Sequence, residues 1–259
     1  MVKKGELERD KEINGRFRKI ADKVDVMNWW EASTIPLKIS LPLGIEDWVE
    51  IYPKSTILVA GFWQAGKTAI TLNSAIMNID NFERIRYFTS EMGAPELKKR
   101  ILKYSNKEML DRFTEACKSG KIEFVERSND FTELILPDAL NIVDYLTTKE
   151  AYMMGAKIEE IDDKLRSGVA IIAIQKHNRQ WGNKDVGVGG EGTGDRPRAY
   201  LSVSIGKTKI IKGKNWATTQ NPDGLTQEFS ISDGINLTAR GIWHPDYDNK
   251  HEDEPWKKW

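Results

Sequence analysis

Apolar residues come along this chain in short β-branched runs that alternate with longer stretches at helical spacing. Residues 55–60 (Ser-Thr-Ile-Leu-Val-Ala) read as a buried strand, and 69–77, with apolar positions three and four apart, as the helix behind it. Residues 84–90 predict a second strand, and 94–102 a helix with Pro95 in its first turn, where no N–H is needed. An amphipathic helix follows over 107–118 and stops at Gly120. Residues 121–126 alternate like a strand, 139–146 form an apolar strand ending in an acid, and 149–166 read as a helix with Gly168 beyond it. The run 168–175 is the most strongly buried strand expected, and 207–212 and 227–232 predict antiparallel closing strands. Strands alternating with helices imply an α/β fold: a mostly parallel, twisted sheet, helices on both faces, and antiparallel strands near the C-terminus.

Composition narrows the function classes. The 259 residues suffice for one large domain with a substantial core. Thirty-nine basic and thirty-nine acidic residues cancel, so a polyanion site must come from local clustering rather than net charge. A single cysteine, Cys117, excludes an internal disulfide and fits a reducing, cytoplasmic setting. No apolar run approaches the length of a membrane span, and the charged start predicts no signal peptide. Three scattered histidines make no zinc cluster. Of the nine tryptophans, Trp29, Trp30, Trp63, Trp216 and Trp243 are expected to pack. Residues 1–45, with Pro36 and Pro42, read as an N-terminal extension and connector, 46–240 as the main domain, and 241–259 as a charged, loosely ordered tail.

The chemistry begins at Gly61-Phe62-Trp63-Gln64-Ala65-Gly66-Lys67-Thr68, a G-x-x-x-x-G-K-T loop set between the first strand and Ala69 of the first helix. Glycines let backbone N–H groups curl around phosphates, and the helix N-terminus adds its dipole. Lys67 is placed for the β- and γ-phosphates and the Thr68 hydroxyl for Mg²⁺, so a nucleoside triphosphate is the expected ligand. In open α/β sheets ligands bind outside the carboxyl ends of the strands. Three polar residues end strands there: Glu91, Asp144 and Gln175. Asp144 suits the metal or its water shell, Glu91 the orientation or deprotonation of attacking water, and Gln175 a hydrogen bond to the γ-phosphate. Solvated strand ends are the alternative for each taken alone.

These strand ends also carry a family likeness. Tyr87-Phe88-Thr89-Ser90-Glu91-Met92 and the following helix up to Arg100 resemble the strand–Glu-Met–helix signature of DnaB-type replicative helicases within the RecA-like ATPases. Ile142-Val143-Asp144-Tyr145-Leu146 is similar to that family's Walker B strand, and Ile174-Gln175-Lys176 to its glutamine motif, over roughly residues 50–235. The resemblance implies a RecA-like P-loop fold, ATP with Mg²⁺, the roles above for Lys67, Thr68, Glu91, Asp144 and Gln175, and a homo-oligomer such as a hexameric ring. In that family a basic pair on a late strand, usually Lys-x-Arg, reaches the neighbouring subunit's nucleotide; here Lys212 and Lys214 stand in its place. Lysine stabilises charge without gripping it bidentately, a departure on which ring assembly and fast hydrolysis turn. The helical N-terminal domain of those helicases is missing, and residues 5–18 resemble the end of a winged-helix wing, with a basic flexible tail as the alternative.

The stretch 176–198 reads as a long glycine-rich loop. Gly187, Gly189 and Gly192 match G-x-G-x-x-G, but no helix follows and Pro197 intervenes, so a dinucleotide site is rejected. In RecA-like proteins this loop often contacts single-stranded DNA; Lys176, Arg179, Lys184, Arg196 and Arg198 are candidates for phosphates and Trp181 for stacking on a base. A lid over the nucleotide is the equal alternative. The leading expectation is an ATPase acting on DNA as helicase, translocase or loader. A slow, regulatory ATP-dependent binding module comes second, and a small-molecule kinase third, without the basic lid and acceptor pocket it needs.

Overall fold

The computed structural model describes residues 7–9, 17–19, 27–176 and 185–246. The chain divides into two units, 1–35 and 36–259. In the first, β1 (Leu7–Arg9) and β2 (Phe17–Lys19) pair antiparallel, with Leu7 opposite Lys19. The division falls after Ile35, not near residue 45. Leu37 N–H donates to Ile51 O at 2.7 Å, and Ile39, Leu41 and Ile45 are buried in the main core, so the connector belongs to the second unit.

The second unit is built on one nine-stranded sheet. In chain order its elements are β3 (Ser55–Gly61), α1 (Lys67–Met77), β4 (Ile85–Thr89), α2 (Ala94–Ile101), α3 (Lys107–Lys118), β5 (Ile122–Glu126) and β6 (Leu140–Asp144). Then come α4 (Met154–Asp162), β7 (Val169–Gln175), β8 (Ala199–Ser204), β9 (Lys207–Gly213), β10 (Leu225–Ser232) and β11 (Asn236–Pro245). The spatial order is β11-β10-β9-β8-β3-β7-β6-β4-β5. From β8 to β5 all pairs are parallel, and β9, β10 and β11 continue antiparallel.

Alternation along the buried strands explains the two layers. Ile57 and Val59 of β3, with Ile171 of β7 and Ile142 of β6, face a core closed by Ile70, Leu72 and Ile76 of α1 and Phe113 of α3. Leu58, Ala60, Ile172 and Ile174 point the other way, onto Ile158 and Ile161 of α4. Local chemistry sets the helix ends. Asn106 Oδ1 caps α3 by accepting from Met109 N–H at 3.0 Å, and Pro95 opens α2.

Several expectations are corrected here. The helix expected over 149–166 is regular only over Met154–Asp162, after a 3-10 turn at Ala151–Met153. β8, just past the loop expected over 176–198, is a strand for which the sequence carried no expectation, and β11 runs to Pro245, into the stretch expected to be a loose tail. Gly187 and Gly189 serve close packing. A side chain on Gly187 would meet Ile174 Cδ1 at 2.2 Å, and one on Gly189 would meet Met154 Cβ at 2.7 Å. Trp29, Trp30, Trp63 and Trp216 are exposed rather than packed, with Trp63 at 79%; only Trp243 of the five is partly buried, its Nε1 donating to Leu43 O. Among the described residues no helix is long and apolar enough to cross a membrane.

Candidate active site

β3 is flanked by β8 and β7, so the loop leaving its carboxyl end emerges in the middle of the sheet. Gln64 (φ 57°) and Gly66 (φ 104°) take left-handed conformations that turn the loop into α1. At Gly66 a Cβ would also lie 2.4 Å from Ile231 Cδ1, so glycine is required twice over. The loop, residues 61–69, wraps the N-terminus of α1, where unpaired N–H groups gather.

Lys67 is the hub. Its Nζ donates to Gly61 O, Phe62 O and Gln175 Oε1, each at 3.0 Å. Burial pushes its pKa down, while the carboxylates of Asp144 and Glu91 push it up. Gln175 reaches Lys67 because β7 is β3's direct neighbour, with Gly61 opposite Gln175. Asp144 ends β6, one strand further, and is 3% exposed. Its Oδ2 accepts from the Tyr87 hydroxyl at 2.7 Å. Burial raises the Asp144 pKa, whereas the nearby Tyr87 and Thr68 hydroxyls and the charge of Lys67 lower it. Asp144 Oδ1 is buried and makes no hydrogen bond of ordinary geometry among the described residues. A buried carboxylate oxygen without a partner, beside a threonine hydroxyl, is a donor set that suits a hard divalent cation or its water shell.

Glu91 lies just past β4 on the exposed rim, near the Tyr145 hydroxyl, whose pKa is raised by burial and by Glu91. The cleft has a volume of about 590 Å³, and its walls include Trp63, Gln64, Lys67, Thr68, Glu91 and Gln175. That volume is in the range of small-molecule sites. Three further lining residues were not anticipated: Arg100 of α2, and Ile231 and Gly234 at the β10–β11 turn. Nothing local in the sequence marks the last two, which arrive from more than 160 positions away. The turn is tied to α1 by Asn73, whose Nδ2 donates to Ile235 O at 2.6 Å and Ala69 O at 2.8 Å.

The remaining candidates separate from this cluster. Lys176 is turned inward: its Nζ lies 2.7 Å from Ser202 Oγ, 3.8 Å from Asp185 Oδ1 and 4.5 Å from the Phe62 ring centroid, and its side chain is 1% exposed. An ammonium so enclosed offers no surface to a DNA phosphate. Arg196 pairs with Glu159 of α4, and Arg198 sits before β8, its N–H donating to Thr56 O at the amino end of β3. Lys212 stands opposite Tyr200, which stands opposite Leu58, so it lies about 10 Å below the phosphate loop along the strands and two strands across. Its Nζ donates to Gly194 O at 2.6 Å. Lys214 lies lower still and exposed, its N–H donating to Arg198 O. Arg179, Trp181 and Lys184 lie outside the described residues.

No protein-family model and no curated protein sequence matches this chain. Among solved structures it is similar to the RadB recombinase, with 15% identity and a TM-score of 0.49 over 71% of this chain and 91% of that one. It is also similar to a KaiC-like protein from the archaeon Pyrococcus horikoshii OT3, with 14% identity and a TM-score of 0.53 over 80% of this chain and all of that one. At this identity the likeness is one of fold. With a parallel sheet carrying its phosphate loop at the centre and antiparallel strands at the C-terminal edge, the chain has a RecA-like P-loop fold.

Proposed function

We propose that this protein is a Mg²⁺-dependent ATPase whose hydrolysis is coupled to single-stranded DNA. One observation carries the catalytic reading: Lys67, Gln175, Glu91 and Thr68 line one cleft, with buried Asp144 beside them. Lys67 binds the β- and γ-phosphates once its bonds to Gly61 O, Phe62 O and Gln175 are exchanged for phosphate oxygens. Thr68 and Asp144 hold Mg²⁺ or its water, and the ion neutralises charge on the phosphates when bound. Glu91, exposed at the rim, orients a water and takes its proton as the water oxygen bonds the γ-phosphorus and the bond to ADP breaks. Gln175 then changes partner between phosphate and Lys67, which links hydrolysis to the chain after β7.

The DNA part rests on residues 177–184, with Arg179, Trp181 and Lys184, because Lys176 is enclosed. Lys212 and Lys214 stand too far from their own phosphate loop to serve it, so a finger role requires a neighbouring copy in a homo-oligomer. ATPase turnover is measured with and without single-stranded DNA. Lys67→Ala is expected to lower turnover by roughly a hundredfold or more, and Glu91→Gln to abolish it while sparing ATP binding. DNA is expected to stimulate the wild type several-fold, in a salt-dependent manner. No DNA effect, or DNA affinity indifferent to salt, removes the DNA half of the reading.

A second reading, a slow regulatory binding module, is favoured by Lys212 alone, whose ammonium is held by a carbonyl of its own chain. Sedimentation with a non-hydrolysable ATP analogue separates the two, since a strict monomer leaves only the regulatory role.

A further inference from the structure

Only one oxygen of Asp144 is committed inside the protein. Tyr87, on β4, places its hydroxyl 2.7 Å from Asp144 Oδ2 and 2.8 Å from Thr71 Oγ1. Thr71 belongs to α1, and its hydroxyl lies 3.1 Å from Thr68 O. All three side chains are sealed from solvent: Tyr87 and Thr71 are 0% exposed and Asp144 is 3%. An ionised carboxylate only accepts, so the phenol proton points to Asp144 and the phenol oxygen accepts from Thr71, whose one proton is shared between that oxygen at 2.8 Å and Thr68 O at 3.1 Å. A polarised chain of hydroxyls thus runs from the helix that presents Thr68 to the acid at the end of β6.

The arrangement is fixed by packing. Tyr87 stands opposite Ile142 in the β4–β6 ladder, two rungs before Thr89 meets Asp144, and its ring packs against Phe124 with centroids 5.0 Å apart. A fully buried core position is filled as well by phenylalanine, and a buried hydroxyl is unfavourable by about 1–3 kcal/mol unless bonded. Here the hydroxyl is bonded on both sides, and one of those bonds is to the candidate metal-binding acid.

We propose that Tyr87, backed by Thr71, is a positioning residue that holds Asp144 Oδ2 and so reserves Oδ1, beside Thr68, as the oxygen left for the divalent cation of a bound nucleotide or for a water of its shell. The proposal rests on the nucleotide-binding reading above. It assigns Tyr87 no contact with substrate, only control over which carboxylate oxygen is available.

Tyr87→Phe keeps the ring and removes the donor; Thr71→Val removes the backing hydroxyl at nearly equal size. Full-length proteins are titrated with a fluorescent ATP analogue over a series of free Mg²⁺ concentrations and, separately, in EDTA. The Mg²⁺ needed for half-maximal tightening is expected to rise about tenfold in Tyr87→Phe and less in Thr71→Val, with affinity in EDTA unchanged. In an Asp144→Asn background, Tyr87→Phe adds nothing further. Equal weakening in EDTA and Mg²⁺ marks a merely structural tyrosine and overturns the proposal. So does an unchanged Mg²⁺ requirement in Tyr87→Phe, or in Thr71→Val should the first variant not fold. Wild-type protein whose nucleotide binding is indifferent both to Mg²⁺ and to Lys67→Ala overturns the site reading itself, and this proposal with it.

Discussion

Replacing Lys176 with methionine tests what the enclosure of this ammonium does to the fold. The lysine sits between the Phe62 ring and the hydroxyls of Ser202 and Ser204, with Asp185 Oδ1 3.8 Å away. Desolvation outweighs the attraction of Asp185 and brings its pKa down from 10.5 to about 8, with Lys209 pushing the same way. Methionine matches the stem and removes the charge. Ser202 keeps an acceptor in Asp185 at 3.0 Å, and Asp185 keeps Lys209 at 2.9 Å, so no new orphan is created there. The sign follows from proton counts. Between pH 8 and 10.5 the unfolded chain retains a proton that the folded chain has released, so folding stability rises with pH across that window. At about 1.36 kcal/mol per pH unit the ceiling is near ~3 kcal/mol, and coupling to Asp185 and Lys209 makes about 1–3 kcal/mol the expected gain. Urea unfolding of wild type and Lys176→Met at pH about 7, 8.5 and 10 measures it as the change in their difference, which cancels groups common to both. Wild type should gain on the variant as pH rises. A difference that stays flat, or falls, refutes the argument that desolvation governs this site.

Gly155→Ala in α4 should destabilise, against the usual gain of about 0.5–1 kcal/mol for glycine to alanine in a helix, because the new Cβ would lie 2.8 Å from Gly192 O. A thermal melt that moves upward would contradict the close packing of 187–194 on that helix. Asn73→Ala removes the bond to Ile235 O that holds the β10–β11 turn to α1, together with an intrahelical bond to Ala69 O, and is expected to cost about 1–3 kcal/mol, with faster hydrogen exchange around Ile235 and Asn236 as its signature. The half-buried Cys117 thiol is pushed up to about 11 by desolvation, so at pH near 8 its reaction with a disulfide reagent should be about two orders of magnitude slower than that of a free cysteine. Labelling at the free-thiol rate would show that the thiol is not enclosed.

The parts of the site that share a local signal were legible in the sequence. The glycine loop between a β-branched run and a helical pattern located residues 61–69, and polar residues at the ends of apolar strands located Glu91, Asp144 and Gln175. Strand order was not readable, yet it decides that Gln175 touches Lys67 while Asp144 stands a strand further away. β8 was hidden because Ala199-Tyr-Leu-Ser-Val-Ser follows Pro197 at the end of a glycine-rich stretch, in which Gly187 and Gly189 make room for Ile174 of β7 and Met154 of α4. β11 was hidden because an edge strand paired on one side alone needs little apolar alternation; most of its residues are exposed or half-buried. The tryptophans misled for a related reason: aromatic content predicts burial on average, and Trp63 stands in the glycine loop at the mouth of the cleft rather than against a core. Arg100, Ile231 and the Tyr87–Thr71–Asp144 chain depend on contacts between elements far apart in sequence.

The register between β3 and β7 limits how any signal can leave this site. The two strands are paired over seven consecutive rungs, from Ser55 opposite Val169 to Gly61 opposite Gln175, and the Lys176 N–H extends the ladder to Gly61 O at 3.0 Å. Sliding one strand against the other would break the whole ladder at once, far more than a change of one hydrogen-bond partner supplies. β3 and β7 therefore behave as one rigid beam, and a change at the glycine loop is not transmitted by their relative motion. What remains able to change partner at the end of the beam is the Gln175 side chain, while the Gln175 carbonyl is itself held by Val188 N–H at 2.7 Å. Any response to a change at the glycine loop is therefore left to side chains at the carboxyl end of this pair rather than to the strands themselves.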